Sequence, residues 1–254
     1  MNGTDEQGRG QDIQGSLRYR GIRAITLDLD DTLWPVEPVL AYANGQLVEW
    51  LRPRAPGTAA VVAANPSVLH MKGRYPEHAH DMSWLRTQLL RETLTAQRED
   101  PALAEPAFAV FLDARQQVTP WPDVEPVLAQ WASRYRIAAI TNGNADIHRT
   151  PLGRYFHTSI SAPAFGAAKP DPRIFREAAR VLGVEPAACL HIGDDLALDV
   201  QGAREAGLSA LWLVRPELGR ASVAKITSGS GLVHNYLHDL WCIDKILQPL
   251  SVVK

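Results

Sequence analysis

Cysteine is almost missing from this 254-residue chain: only Cys189 and Cys242 occur, and neither sits in a paired motif. That excludes a disulfide-stapled mini-protein, and two free thiols fit a reducing compartment. Long apolar runs are missing too. The longest mostly apolar stretch, residues 58–69, contains Asn65 and Pro66. It falls short of the roughly 20 apolar residues that a membrane helix needs. The first 16 residues are rich in Gly, Gln and Asp and lack the apolar centre of a secretory signal. Nor is there a surplus of basic charge: 26 Lys and Arg face 28 Asp and Glu, for a formal net charge of −2. A protein that binds nucleic acid by neutralising phosphates shows such a surplus. The expectation is a cytoplasmic protein, monomer or homodimer, that engages neither nucleic acid nor membrane. Residues 1–16 are expected to form a frayed tail.

What the chain does contain is enough apolar residue, 46%, with 21% charged, to bury a core. Its length suits one large domain, or one domain with an insertion. Short apolar runs at 24–29, 137–141, 188–192 and 209–214 each end in polar or Gly-rich residues. Such runs suit strands covered on both faces. Helical patterns separate the later ones. Asp171-Pro172 reads as an N-cap followed by Pro at the first helical position, with Gly183 as the stop near 182. A second helix fits 199–206, closed by Gly207. The alternation predicts an α/β fold with a parallel sheet.

Residues 36–119 differ. They hold no strand pattern but four helical ones, at 38–51, 58–72, 82–97 and 105–117. The hexapeptide Val-Glu-Pro-Val-Leu-Ala occurs at 36–41 and again at 124–129, flanking this segment. Each copy places Pro in an expected first helical turn. Beyond a polar stretch at 222–231, one further helix is expected, containing Leu237, Leu240, Trp241 and Leu247.

The chemistry concentrates just after the apolar runs. Asp28-Leu29-Asp30-Asp31-Thr32 follows the first. Clustered carboxylates at a strand's carboxyl end are costly to bury without cations, and ligands of open α/β sheets bind there. Read singly, each Asp suits a turn or a helix cap equally well. Thr141-Asn142-Gly143-Asn144 follows the second run and offers a hydroxyl and backbone N–H groups to an anion. Lys169 stands at a helix entry. Gly193-Asp194-Asp195, with Asp199 four residues on, follows the 188–192 run. Carboxylates without an adjacent Arg or Lys suit a hard, oxygen-liganded cation such as Mg²⁺. A nucleophile, a metal, a cation and phosphoryl hydrogen-bond donors together describe phosphoryl transfer.

In this order, the four segments resemble the four motifs of the haloacid dehalogenase-like superfamily. The resemblance implies a Rossmann-like three-layer core, residues 17–35 and 120–254, with an all-helical cap at 36–119. It also implies roles. Asp28 matches the nucleophile and a metal ligand. Asp30 matches the general acid/base, whose backbone carbonyl also binds the metal. Thr141 and Asn142 match the phosphate-binding pair. Lys169 matches the lysine that steadies the nucleophile and the phosphoryl group. Asp194 matches the remaining Mg²⁺ ligand, and Asp195 and Asp199 fall in the same motif. The superfamily's 2-haloacid dehalogenases lack an acid two residues after the nucleophile, so Asp30 favours phosphate chemistry, which needs a leaving-group acid.

Residues 139–145, 153–156 and 190–196, and the pattern at 76–94, also resemble a bacterial branch acting on flavin mononucleotide and 5-amino-6-(5-phospho-D-ribitylamino)uracil. Trp34 stands where many relatives carry another aromatic residue. Within the helical segment, Trp84 and Arg86 are candidates for contact with the leaving group, beside His78 and His80. Packing is the plainer role for Trp84, and the two histidines lack a third ligand with metal-site spacing. The expected activity is Mg²⁺-dependent hydrolysis of a small phosphomonoester through an aspartyl phosphate. A sugar phosphomutase, a phosphoglycolate-type phosphatase and a non-catalytic phosphometabolite-binding protein are the alternatives.

Overall fold

Six parallel strands form one sheet in the order β3-β2-β1-β4-β5-β6. They are β1 Ala24–Leu27, β2 Arg136–Thr141, β3 Thr158–Ser161, β4 Cys189–Gly193, β5 Ser209–Leu213 and β6 Tyr236–Leu237. This computed structural model describes residue 19 and residues 21–64, 67–219 and 236–248. The expected tail at 1–16 and the polar stretch at 222–231 lie outside them.

Alternation along the strands builds two apolar layers. Ile25, Leu27, Ile137, Ala139, Leu190 and Ile192 face one side. There they meet helices α5 (Val124–Trp131) and α7 (Leu240–Leu247). Ala24, Ala138, Ile140, Cys189, Ala210 and Trp212 face the other. Helix α6 (Pro172–Val181) covers them, with Val200 and Ala203. Each large aliphatic side chain buried this way contributes about 1.5–3 kcal/mol. The fold is the expected α/β, Rossmann-like one.

Between β1 and β2 the described residues contain no sheet strand. They carry α1 (Val36–Leu51), α2 (Pro56–Ala63), α3 (Met82–Ala96) and α4 (Ala104–Ala114). Their inward faces make a separate cluster that includes Leu47, Leu51, Leu90, Leu94 and Phe111. The helix expected over 58–72 is instead α2 followed by short turns at Val68–His70 and Met71–Arg74. Helix α2 ends at Ala63, where the capping residue Ala64 has φ −72° and ψ 0°.

Both copies of the repeated hexapeptide open a helix, α1 and α5. Gly183 and Gly207 close their helices with φ of +66° and +92°, the left-handed geometry a glycine C-cap supplies. Leu237 is a strand residue and not part of the final helix, which starts at Leu240 behind the Asp239 cap.

The chain builds β1, β2 and β3 in one direction, then returns to lay β4 on the other side of β1. That reversal makes a crevice at the carboxyl ends of β1 and β4. Leu27 is in register with Ile192, so the residues after β1 and β4 emerge side by side.

Candidate active site

Asp28 leaves β1 at the crevice, its N–H donating to Ile192 O at 3.0 Å. The Lys169 Nζ donates to Asp28 Oδ1 and to Asp199 Oδ1, each at 2.6 Å. All three residues are buried. Carboxylate oxygens of Asp28, Asp194 and Asp199 lie within 4.8 Å of one another. The cluster therefore holds three carboxylates around one ammonium that contacts two of them.

The electrostatics follow from that imbalance. Burial pushes the Asp28 carboxyl well above its ordinary range, Lys169 opposes this, and Asp199 and Asp194 reinforce it. Burial acts against the charged form of Lys169, but Asp199 and Asp28 reverse the effect and hold its pKa up. Burial opposes ionisation of Asp199 as well, and Lys169 and His191 overcome it, so its pKa is held low. The cluster has a deficit of positive charge beside Asp28. A hard divalent cation with oxygen ligands fits that deficit and that donor set.

Asp199 is not a helix cap. Asp195 has that role, accepting from Ala197 N and Leu198 N at 2.8 and 2.9 Å. The π-helical turn it starts, Leu196–Gln201, begins earlier than the expected 199–206 helix and runs into Gly202–Glu205. This turn directs Asp199 inward, against Lys169. Asp199 also contacts His191 Nε2 at 3.1 Å, and His191 Nδ1 contacts Thr26 Oγ1 at 2.9 Å. Burial lowers the His191 pKa, so the imidazole is a neutral link between strand and carboxylate.

The 28–34 turn is closed by Asp31, which has φ of +60°, a conformation Asp tolerates. Its N–H donates to Trp34 O at 2.8 Å, and its Oδ1 accepts from Val36 N at 2.9 Å, at the start of α1. Arg215 donates to Thr32 O and, at 2.8 and 2.9 Å, to Asp123. That buried pair ties the turn to the start of α5.

Asp30 is held from a different part of the chain. Its Oδ1 accepts from the Trp34 indole N–H at 2.9 Å, and Arg115 Nη2 donates to both of its oxygens. Thr141 Oγ1 accepts from Gly143 N at 2.9 Å, which curls the turn after β2. The Asn142 side chain accepts from Lys169 N at 2.7 Å and donates to Lys169 O at 2.9 Å. Besides its place in the phosphate-binding pair, Asn142 thus clamps the lysine through its side-chain amide.

The helical candidates are placed differently. Trp84 stacks on His78 with ring centroids 3.7 Å apart and meets the edge of Tyr75. It packs against the small cluster of Val68, Met71 and Leu85. No described contact links it to the carboxylates. Arg86 lies over the Phe111 ring at 3.9 Å and donates to Asn44 Oδ1 at 3.2 Å. Burial and the nearby Arg115 lower its pKa to about 10. Sequence reasoning missed Arg115, His191 and the Arg215–Asp123 pair. No motif marks them, because each acts through the fold and not through spacing.

A family model described as haloacid dehalogenase-like hydrolase matches residues 22–207. The chain is 31% identical over 204 residues to the 5-amino-6-(5-phospho-D-ribitylamino)uracil phosphatase YigB of Escherichia coli, covering 78% of this chain and 85% of that protein. It is 30% identical over 200 residues to the glyceraldehyde 3-phosphate phosphatase of Methanopyrus kandleri, covering 74% and 82%. Among solved structures it is similar to one described as a 2-haloacid dehalogenase from Pseudomonas syringae pv. Tomato DC3000. That likeness has a TM-score of 0.75 and 33% identity, and covers 89% of this chain and 98% of that one.

Proposed function

The chain belongs to the haloacid dehalogenase-like hydrolase family and is a phosphatase within it; on that premise we propose that it hydrolyses small phosphomonoesters with Asp28 as nucleophile. The observation that carries the reading is the buried Asp28–Lys169–Asp199 arrangement at the β1–β4 crevice, with Asp194 in reach. A carboxylate oxygen of Asp28 attacks phosphorus. The bond from phosphorus to the ester oxygen breaks, and Asp30 gives its proton to the departing alkoxide. Asp30 then takes a proton from water, whose oxygen attacks phosphorus and releases phosphate from Asp28. Lys169 balances the charge of Asp28 and of the phosphoryl oxygens. Thr141 and the backbone N–H of Asn142 supply hydrogen bonds to those oxygens. Asp28 and Asp194, with the Asp30 carbonyl, would hold Mg²⁺, which neutralises phosphoryl charge when bound.

Helices α1 to α4 act as a cap over this crevice, and Arg86 is its candidate substrate contact. A cap that excludes water also obstructs bulky proteins, which favours small metabolites. The similarity to YigB supports a phosphate such as 5-amino-6-(5-phospho-D-ribitylamino)uracil as substrate, and flavin mononucleotide is the other candidate.

The likeness to the Pseudomonas structure supports a second reading, carbon–halogen cleavage. Asp30 decides against it, because halide departs without a proton and needs no acid there. The test is a panel of flavin mononucleotide, the ribitylaminouracil phosphate, sugar phosphates, phosphoglycolate and a 2-haloacid, with Mg²⁺ or EDTA and product identification. Metal-dependent phosphate release from a phosphomonoester is expected. Halide release without phosphate release would contradict the reading, and phosphate moved within the sugar would replace hydrolysis by mutase chemistry.

A further inference from the structure

A buried cation at the end of the helical layer has no place in the mechanism above. Arg115 follows α4 directly and is 1% exposed. It bridges the Asp30 carboxylate through a single nitrogen, Nη2, which stands 2.5 Å from Oδ2. Its Nε and Nη1 are buried without a hydrogen-bond partner among the described residues. An Arg–carboxylate pair formed for stability commonly uses two nitrogens in a fork. Here two donors are left over, in a protein interior where unsatisfied donors are uncommon and costly. Packing for stability alone does not account for that arrangement.

The geometry around Asp30 supplies a reason. Its Oδ1 already accepts from the fully buried Trp34 indole. With Trp34 on one oxygen and Arg115 across both, the carboxyl plane is fixed. The fixed direction is the useful one. A Cβ built on Gly143 would stand 3.0 Å from Asp30 Oδ2, 3.4 Å from Thr141 Oγ1 and 3.9 Å from Arg115 Nη2. Oδ2 therefore faces the Thr141–Gly143 turn, where the proposed phosphoryl group binds.

We propose that Arg115 is a positioning residue for Asp30. It aims the acid's Oδ2 at the phosphate-binding turn and couples leaving-group protonation to the placement of the helical layer. The inference rests on the phosphatase reading and deepens it. Arg115 is not itself the acid, because a guanidinium does not give up its proton in the neutral range. Its effect is transmitted through Asp30 and grows with the need of the leaving group for a proton. The enzyme it describes is adapted to alkyl phosphates, whose alkoxides are poor leaving groups, and less to activated aryl phosphates.

The test compares glycerol phosphate, an alkyl ester, with 4-nitrophenyl phosphate, whose phenolate departs with little help. Wild-type protein, Arg115→Met and Arg115→Lys are assayed with Mg²⁺. General acid catalysis is worth roughly 10²–10⁴-fold. Arg115→Met is expected to lower kcat/KM on the alkyl ester by about 10²-fold or more; this parameter reports phosphoryl transfer to Asp28 and leaves out the water step, which both esters share. Its kcat/KM on the aryl ester falls by far less, and Arg115→Lys recovers part of the alkyl activity. Equal losses of kcat/KM on both esters, or an unchanged kcat/KM on the alkyl ester, would overturn the proposal. If Arg115→Met does not fold, Arg115→Lys decides alone: a lowered alkyl-to-aryl ratio supports the role, and an unchanged ratio refutes it. Wild-type protein that releases phosphate neither from these esters nor from any phosphomonoester of the panel above would overturn the phosphatase reading, and that result is seen before any variant is compared.

Discussion

Buried ionisable side chains define this molecule residue by residue. Lys169 holds two carboxylates at once, and the rest of the site is arranged around it. Cys189, at the start of β4, lies in the apolar layer on one face of the sheet. Burial, the largest influence, pushes its thiol from an ordinary value near 9 up to about 12. At pH 8 its thiolate fraction is then roughly 10³-fold below that of a free thiol. Iodoacetamide should leave Cys189 unmodified in the native protein and label it after denaturation, as read by peptide mass spectrometry. Because the unfolded chain releases this proton near pH 9 and the folded chain holds it to about 12, the group's contribution to stability falls as pH rises across that window. At this scale the sequence was most legible where chemistry needs a residue type at a fixed spacing. Asp28, Asp30, Thr141, Lys169 and Asp194 stand around the crevice because each follows a strand or starts a helix. Arg115 was illegible, since a lone charge at the end of an amphipathic helix reads as solvated.

At the scale of elements, strand ends and turns set the geometry. The four apolar runs read as strands are the central ones, buried on both faces. The edge strands β3 and β6 escaped notice for a physical reason. Thr158–Ser161 is half-buried and polar, and β6 is only two residues long, so neither carries an apolar run. The turn after β4 has its own steric signature. A Cβ on Gly193 would overlap the Asp199 carboxylate, so only glycine lets that side chain reach Lys169. Gly193→Ala should therefore displace Asp199 and cost about 1–3 kcal/mol, typical of an overpacked interior. Phosphatase activity should fall with it. Thermal melting and turnover check the two effects, and a variant with native stability and rate would refute the steric account.

On the scale of the whole molecule, a sheet with apolar layers on both faces is joined to a helical layer that has its own apolar cluster. Two buried devices tie the first turn to distant parts of the chain. Arg215 links Thr32 to Asp123, and Arg115 links Asp30 to the end of α4. The α/β class was readable from the alternation of strands and helices, and the helical segment from its lack of strands. What joins the two was not readable, because long-range pairs leave no periodicity. The central claim is that Asp28 takes the phosphoryl group. The most direct measurement is an acid-quenched single turnover with a ³²P-labelled phosphomonoester that the wild-type protein hydrolyses, followed by peptide mapping. The account predicts acid-stable, hydroxylamine-labile label on Asp28. Asp28→Asn should keep the fold, carry no label there and lose turnover by about 10⁴-fold or more. Label on another residue, or an Asp28→Asn protein that turns over at the wild-type rate, would contradict it.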